Sequence, residues 1–157
     1  MLVDPESLAV LGGAIALAGG LAGSAIGIAI AGTHGLATLA EDPRQFRNVI
    51  VLASLPMTQT FYGLIILILI LTGTLSKVAE LGAGSGFMVL ACGIIACAAE
   101  CGSAIYQGRV CASGIAMLPK TGGRILTNSM MLAVFVELIG VLGLVFTILA
   151  LSMLGLM

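Results

Sequence analysis

The sequence predicts an all-α integral membrane protein with four transmembrane helices, arranged as two tandem helical hairpins. Three observations predict it. Of 157 residues, 60% are hydrophobic and only 8% are charged, too little polar surface to cover a soluble domain of this size. Four apolar stretches, roughly Leu8–Leu39, Val49–Thr72, Gly86–Leu118 and Ile125–Leu156, each exceed the roughly 20 residues that a spanning helix needs. The segment Gly23-Ser24-Ala25-Ile26 returns as Gly102-Ser103-Ala104-Ile105, 79 residues later, and Gly35, Ala37 and Leu39 return as Gly114, Ala116 and Leu118. The chain therefore divides into a first transmembrane hairpin, residues 1–80, and a second, residues 81–157. A net charge of −1 and the lack of a basic tract argue against a nucleic-acid partner.

The first stretch follows Asp4 and Glu6 with no basic leader and runs too long for a secretory signal, so it reads as a retained helix. Glu41-Asp42-Pro43-Arg44 reads as a tight turn, with Asp42 capping the second helix and Pro43 at its first position. Ser76 to Ser85 is the expected second connection, and Pro119-Lys120-Thr121-Gly122-Gly123-Arg124 the third. Several stretches outrun the bilayer, so the helices tilt or protrude. Of six Lys and Arg, five (Arg44, Arg47, Arg109, Lys120, Arg124) lie in or near the first and third connections. Positive-inside bias puts the loops near 41–47 and 119–124 in the cytoplasm of a multi-pass cell-membrane protein, with both termini outside.

Small residues define the role of the first and third helices. Gly19, Gly23, Gly27, Ala31 and Gly35 recur every fourth residue, and Gly12, Ala16 and Gly20 form a shorter row. The third helix carries Ala104, Gly108, Ala112 and Ala116 at the same spacing. Such rows let backbones approach closely. They suit the crowded inner wall of a homo-oligomeric ring, with the bulkier second and fourth helices outside.

Glu137 carries the chemistry. It lies inside an apolar run, and Leu132 to Val145 holds no other charge to pair with it. A carboxylate at that depth costs about 2.5–3.5 kcal/mol, so by default it is an ion or proton site. In Leu55-Pro56-Met57-Thr58-Gln59-Thr60-Phe61-Tyr62, positions 55, 58, 59 and 62 share one helical face, offering a hydroxyl, an amide and a phenol. Pro56 removes a backbone hydrogen bond and loosens nearby carbonyls. Gln107 adds another amide in the third helix. One anionic carboxylate among neutral oxygens suits a small monovalent cation. A proton carrier needs only the carboxylate and one partner, and polar groups such as Thr58, Gln59 and Gln107 also glue membrane helices together.

Leu55-Pro56-Met57-Thr58-Gln59 with Tyr62-Gly63, Gln107-Gly108-Arg109 and Val136-Glu137 resembles the duplicated, four-helix proteolipid (c or K subunit) of V-type and A-type rotary ATPases. The Thr-Gln, Gln and Glu set is similar to that of the sodium-pumping members. The resemblance implies a non-catalytic ion carrier in a rotor ring. Its Na+ ligands would be the Leu55 carbonyl, Thr58, Gln59, Gln107 and Glu137, with Tyr62 hydrogen-bonding Glu137 to hold the site closed. H+ transport in the same role is the alternative. The implied partners are identical subunits, lipid, a stator membrane subunit with a basic residue, and central-stalk subunits at the cytoplasmic loops. Gln59 falls near the place in the first hairpin that Glu137 takes in the second, so one carboxylate serves two hairpins.

Two other function classes compete. Small four-helix multidrug transporters also carry one membrane glutamate, but in the first helix, which has no acid within Leu8–Leu39 here. A structural or channel-forming proteolipid would explain the glycine rows but not the oxygen donors. Cys92, Cys97, Cys101 and Cys111 read as small packing residues in the third helix, His34 as interfacial, and Arg109 as snorkelling. Glu100 is not absorbed by any of this. It lies two turns from Gln107, and three readings are open: a protonated acid bonded to a neighbouring helix, an extra group on the inner face of the ring, or a second ion site.

Overall fold

The computed structural model describes residues 4–82 and 84–157. Among the described residues, four helices are long and apolar enough to span a membrane: α1 (Pro5–Glu41), α2 (Pro43–Leu81), α3 (Ser85–Thr121) and α4 (Leu126–Met153). Where no water reaches, the backbone must satisfy itself, and a helix does so within one segment. Asp4 caps α1 through Ser7, whose N–H and hydroxyl both donate to its carboxylate at 2.9 Å, and Pro5 takes the first position.

The first connection forms as expected around Asp42, but α2 opens with a 3₁₀ turn, Pro43–Gln45, before α-helix begins at Phe46. Asp42 accepts from the Arg44 backbone N–H (3.2 Å), Arg44 Nε (2.9 Å) and Gln45 Nε2 (3.1 Å). The Arg44 and Gln45 side chains hold its carboxyl down at about 2.

Two boundaries differ from the sequence reading. The second connection is much shorter than Ser76–Ser85: α2 continues to Leu81 and α3 starts at Ser85. Polarity there marks where a helix leaves the apolar layer, not where it stops. Lys77 and Glu80, one turn apart, pair at 3.0 Å, and Gly82 at φ +79° ends the helix. Pro119 likewise fails to end α3, which runs on to Thr121 until Gly122 (φ +56°) and Gly123 (φ +82°). A proline cannot donate to the carbonyl four residues back, here that of Ile115. Thr38 of α1 donates its hydroxyl to that carbonyl at 3.1 Å, so nothing is left unpaired and the helix need not break.

Packing follows the small residues. A Cβ on Gly19 would stand 2.6 Å from the Cys97 Cα, and one on Gly23 2.6 Å from the Cys101 Cα. One on Gly12 would stand 2.8 Å from the Val89 carbonyl oxygen, and one on Gly27 would meet the Ala104 carbonyl. These partners lie 77 or 78 positions along the chain, nearly the 79-residue repeat. Equivalent residues of the two hairpins therefore stand side by side, with α1 and α3 parallel and at the same depth. Gly20 and Gly63 instead bring α1 against α2. On α3 the row departs from expectation at one place: Ala104, Gly108 and Ala112 are buried, whereas Ala116 is exposed and Ile115 and Leu118 take over. A four-residue spacing overshoots the 3.6-residue turn, drifting about 120° over three steps.

Two apolar clusters result. One, around Ala16, Ile66 and Val89, lies toward the second connection, and the other, around Leu52, Ile115 and Leu118, toward the first and third. Between them is a layer of buried polar side chains, Gln59, Glu100, Ser103 and Gln107.

Candidate ion-binding site

The polar layer is built on a break in α2. Without an N–H on Pro56, residues Leu55–Met57 tighten into a 3₁₀ turn, and the Leu55 carbonyl accepts from the Thr58 N–H. The Thr58 hydroxyl also reaches that carbonyl at 3.2 Å and the Gln59 Oε1 at 3.2 Å. Gln59, fully buried, extends Nε2 across to α3, donating to Gln107 Oε1 at 3.0 Å and to Ser103 Oγ at 2.9 Å. Gln107, also fully buried, donates Nε2 to Glu137 Oε2 at 3.1 Å. Tyr62, one turn beyond Thr58, donates its hydroxyl to Glu137 Oε1 at 2.9 Å.

Every ion ligand expected from the sequence thus enters one hydrogen-bonded chain. It starts at the Leu55 carbonyl and passes through Thr58, Gln59 and Gln107 to Glu137, which Tyr62 closes from the other side. Glu137 is half-buried and is flanked on α4 by exposed Leu138 and Ile139, while its amide partners lie wholly inside. The carboxylate therefore stands at the rim of the helix bundle with its neutral oxygens behind it. Two donors on one carboxylate, in a layer with little water, offset the cost of its charge.

Ser103 escaped the sequence reading. It accepts from Gln59 and donates to the Val136 carbonyl of α4 at 2.9 Å, tying α2, α3 and α4 together. Its position four residues before Gln107 on the same face was the available signal. Glu100, on that face too, is fully buried, and among the described residues neither oxygen has a hydrogen-bond partner. This corrects two of the readings open for it: the acid is neither bonded to a neighbouring helix nor placed on an open face. It points at α4, where Gly140 and Gly143 present no side chain to bond with. Cys97 and Cys101 pack on Gly19 and Gly23, and Arg109 lies outside with its guanidinium 5.0 Å from the Tyr106 ring centroid.

The ATP synthase C-subunit family matches residues 11–70 and, a second time, residues 90–150. The chain belongs to that family, as a duplicated, multi-pass membrane member. It is similar to the A-type ATP synthase subunit K of Methanocaldococcus jannaschii, with 35% identity over 152 residues, covering 96% of this chain and 64% of the relative. It is also similar to the V-type sodium ATPase subunit K of Enterococcus hirae, with 30% identity over 127 residues, covering 81% of this chain and 79% of the relative. The chain spans just under two thirds of the length of the first of these relatives, at 64%.

Proposed function

We propose that this chain is the ion-carrying subunit of a homo-oligomeric rotor ring in a V/A-type rotary ATPase, and that the ion is Na+. The observation that carries this reading is the continuous chain of oxygens and amides converging on Glu137 inside a membrane-spanning bundle. The Leu55 carbonyl, Thr58, Gln59, Gln107 and Glu137 would hold the ion, and Tyr62 would keep the carboxylate turned inward. The chain itself catalyses no reaction. An ion entering from a stator half-channel neutralises Glu137, which then crosses lipid at modest cost because its charge is cancelled. It leaves where a basic stator residue competes for the carboxylate.

In this reading the hairpins 1–80 and 81–157 share one ion. The loops near 41–47 and 119–124 face the cytoplasm and seat the central stalk, and the termini lie outside. The two loops sit at one end of the bundle, where a Cβ on Gly123 would stand 2.8 Å from Asn48 Nδ2 and 3.1 Å from Gln45 Oε1. Sodium is supported by the neutral donors on two further helices and by the likeness to the sodium ATPase subunit.

Carbodiimide labelling tests the ion. The reagent attacks a protonated carboxyl, and bound Na+ displaces that proton. Na+ should therefore protect Glu137, with less Na+ needed as pH rises. Labelling indifferent to high Na+ at fixed pH would replace Na+ by H+ in the same rotor role.

A further inference from the structure

We propose that Glu100 is a second monovalent-cation position of the subunit, holding a proton, or Na+ in exchange for one, between α3 and α4. This position is independent of which ion Glu137 carries. Glu100 is fully buried, and neither carboxyl oxygen meets a donor among the described residues. An isolated charge in such a place is prohibitively costly, and a polar group left without a partner is costly too. The carboxyl is therefore neutralised by a bound cation.

Gly140 shapes the place. A Cβ there would lie 2.8 Å from Glu100 Oε2, 3.1 Å from Ser103 Oγ and 3.2 Å from Gln59 Cγ. One turn on, a Cβ at Gly143 would lie 3.4 Å from Glu100 Oε1. The carboxyl and the Ser103 hydroxyl thus border the same side-chain-free strip of α4. Ser103 donates to the Val136 carbonyl and accepts from Gln59, which leaves it one lone pair to share a proton or a small cation with Glu100. The other titratable groups brought to this layer are Tyr62 from α2, Glu137 from α4 and the thiols of Cys97 and Cys101 on α3 itself, which pack toward α1; α1 carries acids or histidine only near its ends, at Glu6, His34 and Glu41. Glu137 belongs to a separate carboxylate position, since its oxygens are taken by Tyr62 and Gln107. The two positions communicate through Gln59, which bonds to both Ser103 and Gln107.

Counting exchangeable cations on the purified ring tests this, by radioactive Na+ binding together with proton release on alkaline titration, each variant read as its difference from the wild-type ring because cysteine, tyrosine and lysine also release protons. The count should fall by one per subunit in Glu137→Gln, by one in Glu100→Gln, and by two in the double variant. If the particle at Glu100 is a proton, an infrared carboxylic-acid band should vanish in Glu100→Gln. If it is Na+, radioactive Na+ binding should survive Glu137→Gln. Gly140→Ala keeps both carboxyls but puts a methyl against Glu100, so a proton there should stay and its carboxylic-acid band shift, whereas a bound Na+ should be lost. A count that Glu100→Gln leaves unchanged overturns the proposal. Failure of the rotor reading looks different: Glu137→Gln would then change nothing while Glu100→Gln still removed one cation.

Discussion

The two hairpins share a backbone plan and bury different chemistry. At the repeat spacing, Glu100 and Gln107 of α3 correspond to Leu21 and Ile28 of α1, and Glu137 falls one residue short of the place that answers Gln59. Glu100 is fully buried, while Leu21 is 51% exposed. Side chains of α1 thus add nothing to the oxygen network. What α1 supplies is closeness: Gly20 lies against the Gln59 carbonyl and Gly27 against Pro56 and Ala104, pressing α2 and α3 together where the network crosses between them. The first helix of one copy supplies the spacing, and the other copy supplies the carboxylate. Because Gln59 of the first hairpin reaches Gln107 of the second, the network exists only where both hairpins meet. In the proposed ring, Glu137 would be one carrier for two hairpins, so each turn would move fewer ions against a steeper gradient.

Erasing the acid that distinguishes the second hairpin should have the largest effect. Glu137→Gln keeps the size but removes the charge and turns one of two acceptor oxygens into a donor, so ion transport and ion-coupled ATP hydrolysis in reconstituted vesicles should fall to background while the ring still assembles. Surviving transport would place the carrier elsewhere. The spacer role of α1 comes next. Gly23→Ala forces a Cβ to within 2.6 Å of the Cys101 backbone and should destabilise the folded protein by about 1–3 kcal/mol, read from unfolding in detergent. Gly32→Ala on the same helix meets nothing within 4 Å and should be neutral or slightly stabilising. Equal effects at the two glycines would remove the close-approach argument.

Within the network the changes are smaller. Tyr62→Phe removes one hydrogen bond to a carboxylate, worth about 1.4 kcal/mol, so the Na+ concentration giving half-protection should rise roughly tenfold. Unchanged protection would deny Tyr62 a role in closing the site. The smallest effect lies in the first connection. The Asp42 carboxyl is held at about 2 by Arg44 and then Gln45, below the roughly 3.9 of an open chain. A depressed acid stabilises above its open-chain value and loses that stabilisation as pH falls through its folded one, a window from about pH 4 to about pH 2. Arg44 has its side chain 89% exposed, so solvent screens most of the pair. Hydrogen exchange in the turn, corrected for intrinsic rates, should be slightly faster in Asp42→Asn at pH 6, with the difference gone near pH 2.

Much of this molecule is legible from residue types alone, because a bilayer leaves a chain few options. Four apolar runs of sufficient length must be helices, and a lone carboxylate within one of them must be paired or neutralised. Leu55, Thr58, Gln59 and Tyr62 could be placed on one face by counting, and Gln107 stood out as an amide in an apolar helix. Helix ends were less legible: Ser76, Lys77 and Glu80 look like a loop because polarity and helix termination usually coincide, and Pro119 looks like a stop until Thr38 supplies the missing donor.

By itself the sequence determined the fold class, the repeat, the helix faces and the identity of the buried acids, since these depend on hydrophobicity and on the period of a helix. The tertiary structure alone decided which faces meet. It put Ser103 between Gln59 and Val136, and turned Glu100 toward two glycines rather than toward a donor. Spacing along one helix says nothing about what a neighbouring helix brings opposite, and that is set by how closely the small residues let the backbones approach.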